Sequence, residues 1–548
     1  MSAQAGAVPG RPAGARPGSS EGRPRPSGAR RAVTVGAVAL LLALAGVANT
    51  EIHPAGGRPA PGPNVVPAVA VRSASSTAWY CPGPLPVGDL SEASSVAITD
   101  VEARPLRAQV TIAATSGRRA AETVEVHPEG ESVVGLRRRG PRGSAAVTVV
   151  VDGSGAAVEE LVHGSEGVSA TPCSATPVST EYFAAGSTLG ANNLSLGVYD
   201  PGATPAVVNV SFVTSSGAVA PPAFQDMSVG PGQVVALDVG HYVPSEAAVA
   251  TLVDSTGGRV VAGTLLTAVV GHALMTSLVD GVGGSATRWL VPAGPAGPRT
   301  ESTFSVLDPG RRGAVVHLRL GAGPSAAELS TSVPAHGLVT LRPALAGDRA
   351  EMAWATLRSS GAPVVVARET LVLPLPPPTG GTGRHRLARR GAPRSLARAA
   401  APVQLPTSVA AASAAATAPI SRARALPVLL AGVAVTSGVT EGSATWVLPG
   451  GESDPHTSEV VVVQDLGRHP SRVVFERLAA PGGAEPFASL PPLELRPGEV
   501  LSIDLADVVG YAGTLPLLVR ASRPIVSGEL LYGRITPGFT LPAAIAVG

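Results

Sequence analysis

Residues 289–292 read Trp-Leu-Val-Pro, and residues 446–449 read Trp-Val-Leu-Pro. The stretches before them match as well, because residues 281–287 resemble residues 438–445. Two further copies of the pattern open at Trp79 and Tyr182. The chain therefore contains a module of roughly a hundred residues written four times, and a repeat of this length indicates tandem domains of one fold.

Each copy continues with the same signals. About twenty residues after the aromatic, an apolar run ends in an aspartate: Asp100, Asp200, Asp308 and Asp465. We interpret this aspartate as a turn residue that accepts hydrogen bonds from nearby backbone N–H groups. A proline and a glycine follow further on, as at Pro231-Gly232 and Pro497-Gly498, and predict a hairpin. A Val-rich strand closes each copy.

About seven short strands per copy predict an all-β fold of about four tandem immunoglobulin-like or fibronectin-like β-sandwich repeats behind one N-terminal transmembrane helix. The opening aromatic is then core packing. The predicted segments are a disordered basic cytoplasmic tail (1–31), a transmembrane signal anchor (32–48), a linker (49–75), module 1 (76–165), module 2 (178–268), module 3 (285–373), a disordered Pro/Ala/Arg-rich insertion (374–425) and module 4 (426–548).

The N-terminus predicts export of the modules. Six arginines precede the uncharged run 32–48, and basic residues before an apolar segment place the N-terminus in the cytoplasm and the bulk outside. Two alternatives follow. One is a single-pass anchor in the cell membrane, although the run is slightly shorter than the roughly 20 residues of a comfortable span. The other is secretion after cleavage near the small residues Gly46 and Ala48.

Composition excludes several activities. All 41 basic residues are arginine, which removes nucleotide-binding loops, Schiff-base enzymes and Ser-x-x-Lys hydrolases that need a lysine. Residues 49–548 hold 35 arginines against 38 acids, so charge gives no argument for a nucleic-acid partner. The ten histidines are scattered without zinc-site spacing. We therefore expect no catalytic, cofactor or metal site and no enzymatic activity.

Two cysteines are present, Cys81 and Cys173. An even pair in an exported protein predicts a disulfide, which would join the start of module 1 to the connection before module 2. The alternative is two unrelated buried thiols.

The insertion before module 4 is the second feature that does not recur. It carries many arginines, and no acid occurs between Glu369 and Glu441. A stretch of this composition is typical of a solvated, disordered segment. The alternative is binding of an anionic partner such as a lipid head group, a wall-polymer phosphate or an acidic protein face. The candidate residues are Arg384, Arg386, Arg389, Arg390, Arg394 and Arg398.

Residues 79–83, the connection from Cys173 to residues 182–188, and the single anchor together resemble the actinobacterial DUF5719 family of membrane-anchored, exported proteins. The resemblance implies no activity and no site residues. We expect a non-catalytic envelope protein that acts as a scaffold or protein-interaction module. The alternative is a protein that binds a cell-wall polymer or a carbohydrate. The expected partners are the membrane, through the N-terminal helix, and an envelope protein or wall polymer, without nucleic acid.

Overall fold

The opening strands put their aromatic residues into the protein core. In the computed structural model, Trp79, Trp289 and Trp446 are at most 1% exposed. The indole N–H of Trp289 donates to the Val364 carbonyl at 2.8 Å, and that of Trp446 donates to the Ile525 carbonyl at 3.0 Å. A buried indole needs such an acceptor, so the interpretation of these aromatics as core packing is confirmed.

The structure describes residues 68–69, 77–87, 93–102, 105–128, 130–136, 143–164, 167–271, 273–322, 325–343, 351–375, 430–450, 452–453, 455–479, 483–510, 513–534 and 538–547. The predicted tail, the anchor at 32–48 and nearly all of the linker lie outside these ranges, and so does most of the insertion. Within the described ranges, no helix has the length and apolarity needed to cross a membrane.

Module 1 follows a first strand, β1 (Ala68–Val69), and consists of eight strands: β2 (Thr77–Val87), β3 (Ala93–Asp100), β4 (Leu106–Ala114), β5 (Arg119–Val126), β6 (Glu131–Gly135), β7 (Gly143–Val151), β8 (Ala156–Gly164) and β9 (Gly167–Pro172). They form two four-stranded sheets with the orders β2-β7-β4-β5 and β6-β3-β8-β9. Residues of both sheets, such as Val149 and Ile98, share one core with Trp79.

Modules 2 and 3 repeat this arrangement. Module 2 contains β10 (Thr180–Phe183), β11 (Asn193–Tyr199), β12 (Ala206–Thr214), β13 (Gly217–Val219), a 3₁₀ turn (Pro222–Phe224), β14 (Met227–Val229), β15 (Val234–Asp238), α1 (Val239–Tyr242), β16 (Val249–Gly257), β17 (Val261–Val270) and β18 (Ala273–Asp280). Module 3 contains β19 (Arg288–Ala296), β20 (Thr300–Leu307), β21 (Ala314–Ala322), β22 (Ser325–Val333), β23 (Leu338–Leu341), β24 (Glu351–Ser360), β25 (Val365–Val372) and β26 (Gly432–Ser437).

Module 4 contains β27 (Ser443–Leu448), β28 (Glu452–Ser453), β29 (Thr457–Gln464), β30 (Ser471–Ala479), β31 (Gly483–Pro486), β32 (Leu493–Leu495), β33 (Val500–Asp504), α2 (Leu505–Val509), β34 (Gly513–Thr514), β35 (Leu517–Gly533), β36 (Phe539–Thr540) and β37 (Ile545–Val547). The long strand β35 supplies both sheets, because its first part pairs with β27 and β30 and its second part pairs with β29.

Each module is thus an all-β, sandwich-like pair of antiparallel sheets. Counted within modules 1 and 3, the strand orders are 1-6-3-4 and 5-2-7-8. Module 2 has the same orders when β13 and β14, which both pair with β12, are counted as one strand. In module 4, β36 takes the place of the eighth strand, since it pairs with the second part of β35. An immunoglobulin constant domain instead orders its sheets ABED and CFG. The modules share the two-sheet architecture with that fold and differ from it in connectivity.

Three details differ from the sequence prediction. The eighth strand of modules 1 to 3 lies beyond the boundary we assigned, and β26, placed in module 4 by sequence, pairs with β25 of module 3. The predicted hairpins are wrong, because the strands on either side of each Pro–Gly turn pair in opposite sheets, as β5 does with β4 and β6 with β3. Such a turn bends the chain without dictating which sheet receives the next strand.

The third difference concerns the second module. The same β-bridge recurs in three modules, as Tyr80↔Ser174, Tyr182↔Val282 and Leu290↔Val439. It aligns Tyr182 with Tyr80, which follows Trp79 by one residue, and not with Trp79 itself. Glu181 therefore occupies the place of Trp79, and it is buried. The aromatic of module 2 was predicted one residue out of register, and a shift of one residue in a strand exchanges the two faces.

The recurring aspartates cap their turns as predicted. In all four modules the Oδ1 atom accepts a backbone N–H from two residues further on, at 2.7–2.8 Å: Glu102 N to Asp100, Gly202 N to Asp200, Gly310 N to Asp308 and Gly467 N to Asp465. The four residues are at most 1% exposed. Their recurrence serves the fold, as the interpretation of these aspartates as turn residues predicted.

The four modules close on one another through their eighth strands. A hydroxyl near the middle of such a strand accepts a backbone N–H from the next module, as Ser169 does from Leu278 at 2.7 Å and Ser277 from Val435 at 2.8 Å. Thr540 of module 4 accepts the Ala170 N–H of module 1 at 3.3 Å, which completes the circuit.

Between modules 3 and 4 the bond takes another form. The equivalent residue of module 3 is Ala434, and there Thr436 donates its hydroxyl to the Leu541 carbonyl at 2.7 Å. We call these contacts the ring seam. The segments that make them line a central cavity of about 60 Å³.

The first and last described strands also meet. β1 pairs in parallel with β37, and β37 pairs with β27 beside Trp446. All of these strands belong to one compact unit, Pro63–Gly548.

Ser277→Ala is expected to destabilise the ring seam by roughly 1–3 kcal/mol, since it leaves the buried Val435 N–H without its acceptor. Urea unfolding of the full chain would measure the loss. The matched control is Ser332→Ala on the exposed side of β22, which should change stability by less than about 0.5 kcal/mol. Equal effects of the two substitutions would contradict the role assigned to Ser277.

Candidate functional site

The predicted disulfide is present. Cys81 and Cys173 are bonded, with Cα atoms 4.6 Å apart, and both are fully buried. The bridge ties the opening strand of module 1 to the end of its own eighth strand. The alternative of two separate thiols is thereby excluded. Among the other candidates, Arg384 to Arg398 of the insertion lie outside the described residues.

In the other modules, apolar residues and glycines occupy the positions equivalent to the two cysteines. Cys81 and Cys173 correspond to Phe183 and Gly281, to Val291 and Gly438, and to Leu448 and Ala544. Space there is tight, because a Cβ on Gly281 would lie 2.9 Å from the Phe183 ring. The disulfide thus takes the place of the apolar contact between Phe183 and Gly281 in module 2.

Two neighbouring glutamates of β8 serve two different module contacts. Glu159 and Glu160 point to opposite faces of the strand, as adjacent strand residues must. Glu160 lies near the disulfide, where its carboxylate and the two Sγ atoms are within 4.8 Å of one another. Those sulfurs are bonded to each other and offer no thiolate to a metal ion. Glu159 faces module 4.

The carboxyls of Glu160, Glu181 and Asp280 form the module 1–2 carboxyl cluster. Burial raises the pKa of Glu160 to about 8, although a hydrogen bond from the Gly83 backbone opposes it. Burial also raises the pKa of Asp280 well above its usual range, with a further increase from the charges of Glu160 and Glu181. Burial raises the pKa of Glu181 as well. Asp280 borders the central cavity.

The module 1–4 carboxyl cluster consists of Glu159, Glu459 and Glu529, with Glu131 beside them. Burial, and then the charges of Glu529, Glu131 and Glu459, raise the pKa of Glu159. Burial and the neighbouring Glu529 raise the pKa of Glu459, and burial raises the pKa of Glu529 to about 8. Glu131 accepts the Gly450 N–H at 2.6 Å.

These clusters can hold protons inside module contacts. Glu459 and Glu529 are diagonal neighbours on the paired strands β29 and β35, and their carboxyls interact. Two ionised carboxylates have no donor to offer one another, so a proton on one of them supplies the hydrogen bond. Because these carboxyls are buried between modules, we expect the stability of the module contacts to depend on pH.

A buried arginine occupies the corresponding place in module 3. Arg368 is equivalent to Glu160 and Glu529, and it is 1% exposed. Its guanidinium donates to the Ala353 and Pro295 carbonyls at 2.9 and 2.7 Å. Burial lowers the pKa of Arg368 to about 9. Backbone carbonyls, rather than an acid, satisfy this charge.

A polar recess lies between modules 3 and 4, and we call it the arginine groove. It has a volume of about 520 Å³, and its lining includes Arg288, His317, Arg319, Trp354 and Arg358. The turns at Leu466-Gly467 and Pro497-Gly498 of module 4 close one side. All three arginines are exposed.

Two of the groove residues are fixed by their neighbours. The Trp354 indole N–H donates to the Gly498 carbonyl at 2.9 Å, which ties module 3 to module 4. The Arg319 guanidinium lies 5.4 Å above the Trp354 ring and is 3.2 Å from the Glu328 carboxylate. Stacking on an aromatic ring orients a guanidinium.

Arg288 and Arg358 are direct cross-strand partners, and His317 is the partner of Arg358 on its other side. This row was missed by sequence reasoning, since the three residues are far apart in the chain. The sequence offered one signal, because Arg288 is a charged residue at a position where the other modules carry the uncharged residues Ala78, Thr180 and Thr445.

Comparison with known proteins gives one family. The search of curated proteins returns no match. A crystal structure of a mutant of Salmonella alpha-2-macroglobulin is similar at 10% identity, covering 89% of this chain and 47% of that chain, with a TM-score of 0.11. The chain thus spans about half the length of that protein, and so low a TM-score carries no argument. Residues 162–367, from the end of module 1 into β25, match the model described as a family of unknown function, DUF5719. The resemblance to the DUF5719 family that the sequence motifs predicted is confirmed over these residues.

Proposed function

We propose that the protein is a non-catalytic, membrane-anchored and exported envelope protein that acts as a scaffold or protein-interaction module, with its tandem β-sandwiches outside the membrane. The observation that carries this proposal is the ring seam. Four modules joined by hydrogen bonds between buried side-chain hydroxyls and backbone groups of the next module form one body whose outer faces keep fixed positions. A scaffold needs that rigidity.

An exposed apolar patch supports the interaction role. Val269 and Leu274 face each other at the tip of β17 and β18 and are 45% and 49% exposed. Pro374 lies close to Gly271 at that tip, and Leu373 and Leu375 beside it are 42% and 50% exposed. Contiguous exposed apolar side chains are typical of protein contacts. The partner would be a protein with an apolar face.

Site-specific photo-crosslinking in the native envelope tests this proposal. A photo-reactive residue at Leu274 should give an adduct with one envelope protein, identified by mass spectrometry. Val315 is also exposed, at 42%, but lies on another module, so the same residue there is the matched control. Equal adducts at both positions, or none at either, would count against the interaction role.

A second candidate, binding of an anionic cell-wall polymer, is favoured by the arginine groove. Sedimentation with purified wall at low and high salt would test it, because charge-driven retention falls as salt rises. Deletion of residues 380–424 and substitution of groove arginines, made separately, would show which set of charges retains the protein. If the protein stayed bound to the wall at high salt, and did so after both the deletion and the arginine substitutions, the second candidate would be refuted.

A further inference from the structure

The arginine groove carries charges that its fold does not need. Arg288, Arg358 and His317 form one row across module 3. The same row in module 1 is Ala78, Val150 and Gln109, and in module 2 it is Thr180, Asp254 and Asn209. In module 4 it is Thr445, Arg520 and Val474. Two adjacent arginines therefore occur in this row in only one of the four modules.

The pair has no internal counter-charge. In the part of the chain that the structure describes, neither the Arg288 nor the Arg358 guanidinium has an ion-pair or hydrogen-bond partner. The single arginine of the module 4 row, Arg520, is instead paired with Glu476 at 2.9 Å. Like charges on directly opposed strand residues repel each other. The pair therefore costs stability unless an anion lies between the two guanidinium groups.

The remaining charges of the groove are already engaged. Glu328 is bound to Arg319, so it does not neutralise the arginine pair. The His317 Nδ1 atom lies 2.7 Å from the Ser330 hydroxyl. Trp354 is only 7% exposed, so it orients Arg319 and offers little face on which a neutral sugar could stack.

We propose that the arginine groove binds a phosphate group carried by an envelope polymer, with Arg288 and Arg358 as its two direct contacts. Guanidinium groups match phosphate oxygens with paired N–H donors. Two neighbouring arginines suit the double charge of a phosphate monoester. The volume of about 520 Å³ falls in the range of small-molecule sites, so a sugar phosphate unit fits and not only a bare ion. This inference rests on the second candidate function and names its site.

Calorimetric titration of the full chain in detergent tests the proposal with four probes: glucose 1-phosphate, inorganic phosphate, glucuronate and glucose. We expect binding of glucose 1-phosphate, weaker binding of inorganic phosphate and glucuronate, and none of glucose. If glucuronate bound more strongly than glucose 1-phosphate, the groove would recognise a carboxylate, and the phosphate proposal would be overturned. Inorganic phosphate binding as tightly as glucose 1-phosphate would indicate a free-ion site and overturn the polymer assignment.

The variants Arg288→Gln and Arg358→Gln should each weaken glucose 1-phosphate binding by about tenfold or more, since each removes a charge-assisted hydrogen bond to the phosphate. Arg358→Lys should recover part of the loss. Arg311→Gln is the matched control, because Arg311 is exposed on the same module outside the groove. Losses no larger than that of the control would overturn the proposal.

A second measurement needs no variant. Phenylglyoxal modifies accessible arginines, and glucose 1-phosphate should protect Arg288 and Arg358 from it while Arg311 reacts at an unchanged rate, as read by mass spectrometry. Unprotected Arg288 and Arg358 would refute the site. Wall sedimentation that persists in the Arg288→Gln and Arg358→Gln double variant would refute the groove and leave polymer binding itself standing.

Discussion

Combining Cys81→Val with Cys173→Gly should lower the free energy of unfolding of module 1 by roughly 4 kcal/mol, as expected for a bridge that closes a long loop. The bridged residues are 92 apart in sequence. Without the bond the unfolded chain regains the entropy of that loop. Valine and glycine are chosen because Val291 and Gly438 fill the same two positions in module 3, so the packing they restore is one that the fold accepts.

Urea unfolding of the full chain, with and without reducing agent, would measure this effect. Reduction should destabilise the native protein and leave the valine–glycine variant unchanged. A second variant, Cys81→Ser with Cys173→Ser, should be less stable still, because it buries two hydroxyls where modules 2 to 4 place apolar groups. If the valine–glycine variant equals the oxidised native protein in stability, the bridge does not constrain the unfolded chain as argued.

Glu529→Gln should stabilise the protein at pH 8 by an amount on the order of 2 kcal/mol and have little effect at pH 4. The pKa of Glu529 is raised from 4.5 to about 8 by burial in the module 1–4 carboxyl cluster. A group with a raised folded pKa contributes its full stability below the unfolded value of 4.5. That stability is lost as pH rises from there through about 8, and a neutral amide removes the dependence.

Thermal unfolding of native protein and variant between pH 4 and pH 9 would test this prediction. The native curve should fall with rising pH, and the Glu529→Gln curve should fall less steeply. Glu494→Gln is the matched control, since Glu494 is an exposed glutamate of the same module. Parallel native and Glu529→Gln curves would show that Glu529 takes up no proton on folding.

The local chemistry of each module could be predicted from sequence. Trp79, Trp289 and Trp446 bury their rings as the strand pattern required, and Asp308 and its equivalents cap turns as short acids do. The cysteine pair indicated its own bond. These features depend on residues near one another in the chain or repeated at a fixed period, so the sequence alone carries the information.

Contacts between modules could not be predicted in the same way. Ser169, Ser277 and Thr540 are unremarkable polar residues of strands, and nothing in the chain shows that each faces a backbone N–H from another module. Glu181 was overlooked because the neighbouring Tyr182 satisfied the aromatic pattern. The Arg288–Arg358 row depends on a register between strands about seventy residues apart.

The ring seam also constrains how such a protein can change in evolution. Open solenoids gain or lose repeats freely, since each repeat contacts only its neighbours and the end repeats are capped. Here the hydroxyl of Thr540 in the last module reaches back to Ala170 in the first, so every module has a neighbour on both sides. A duplicated or deleted module would leave two buried edges without partners, which fixes the copy number at four and leaves variation to the segments between strands.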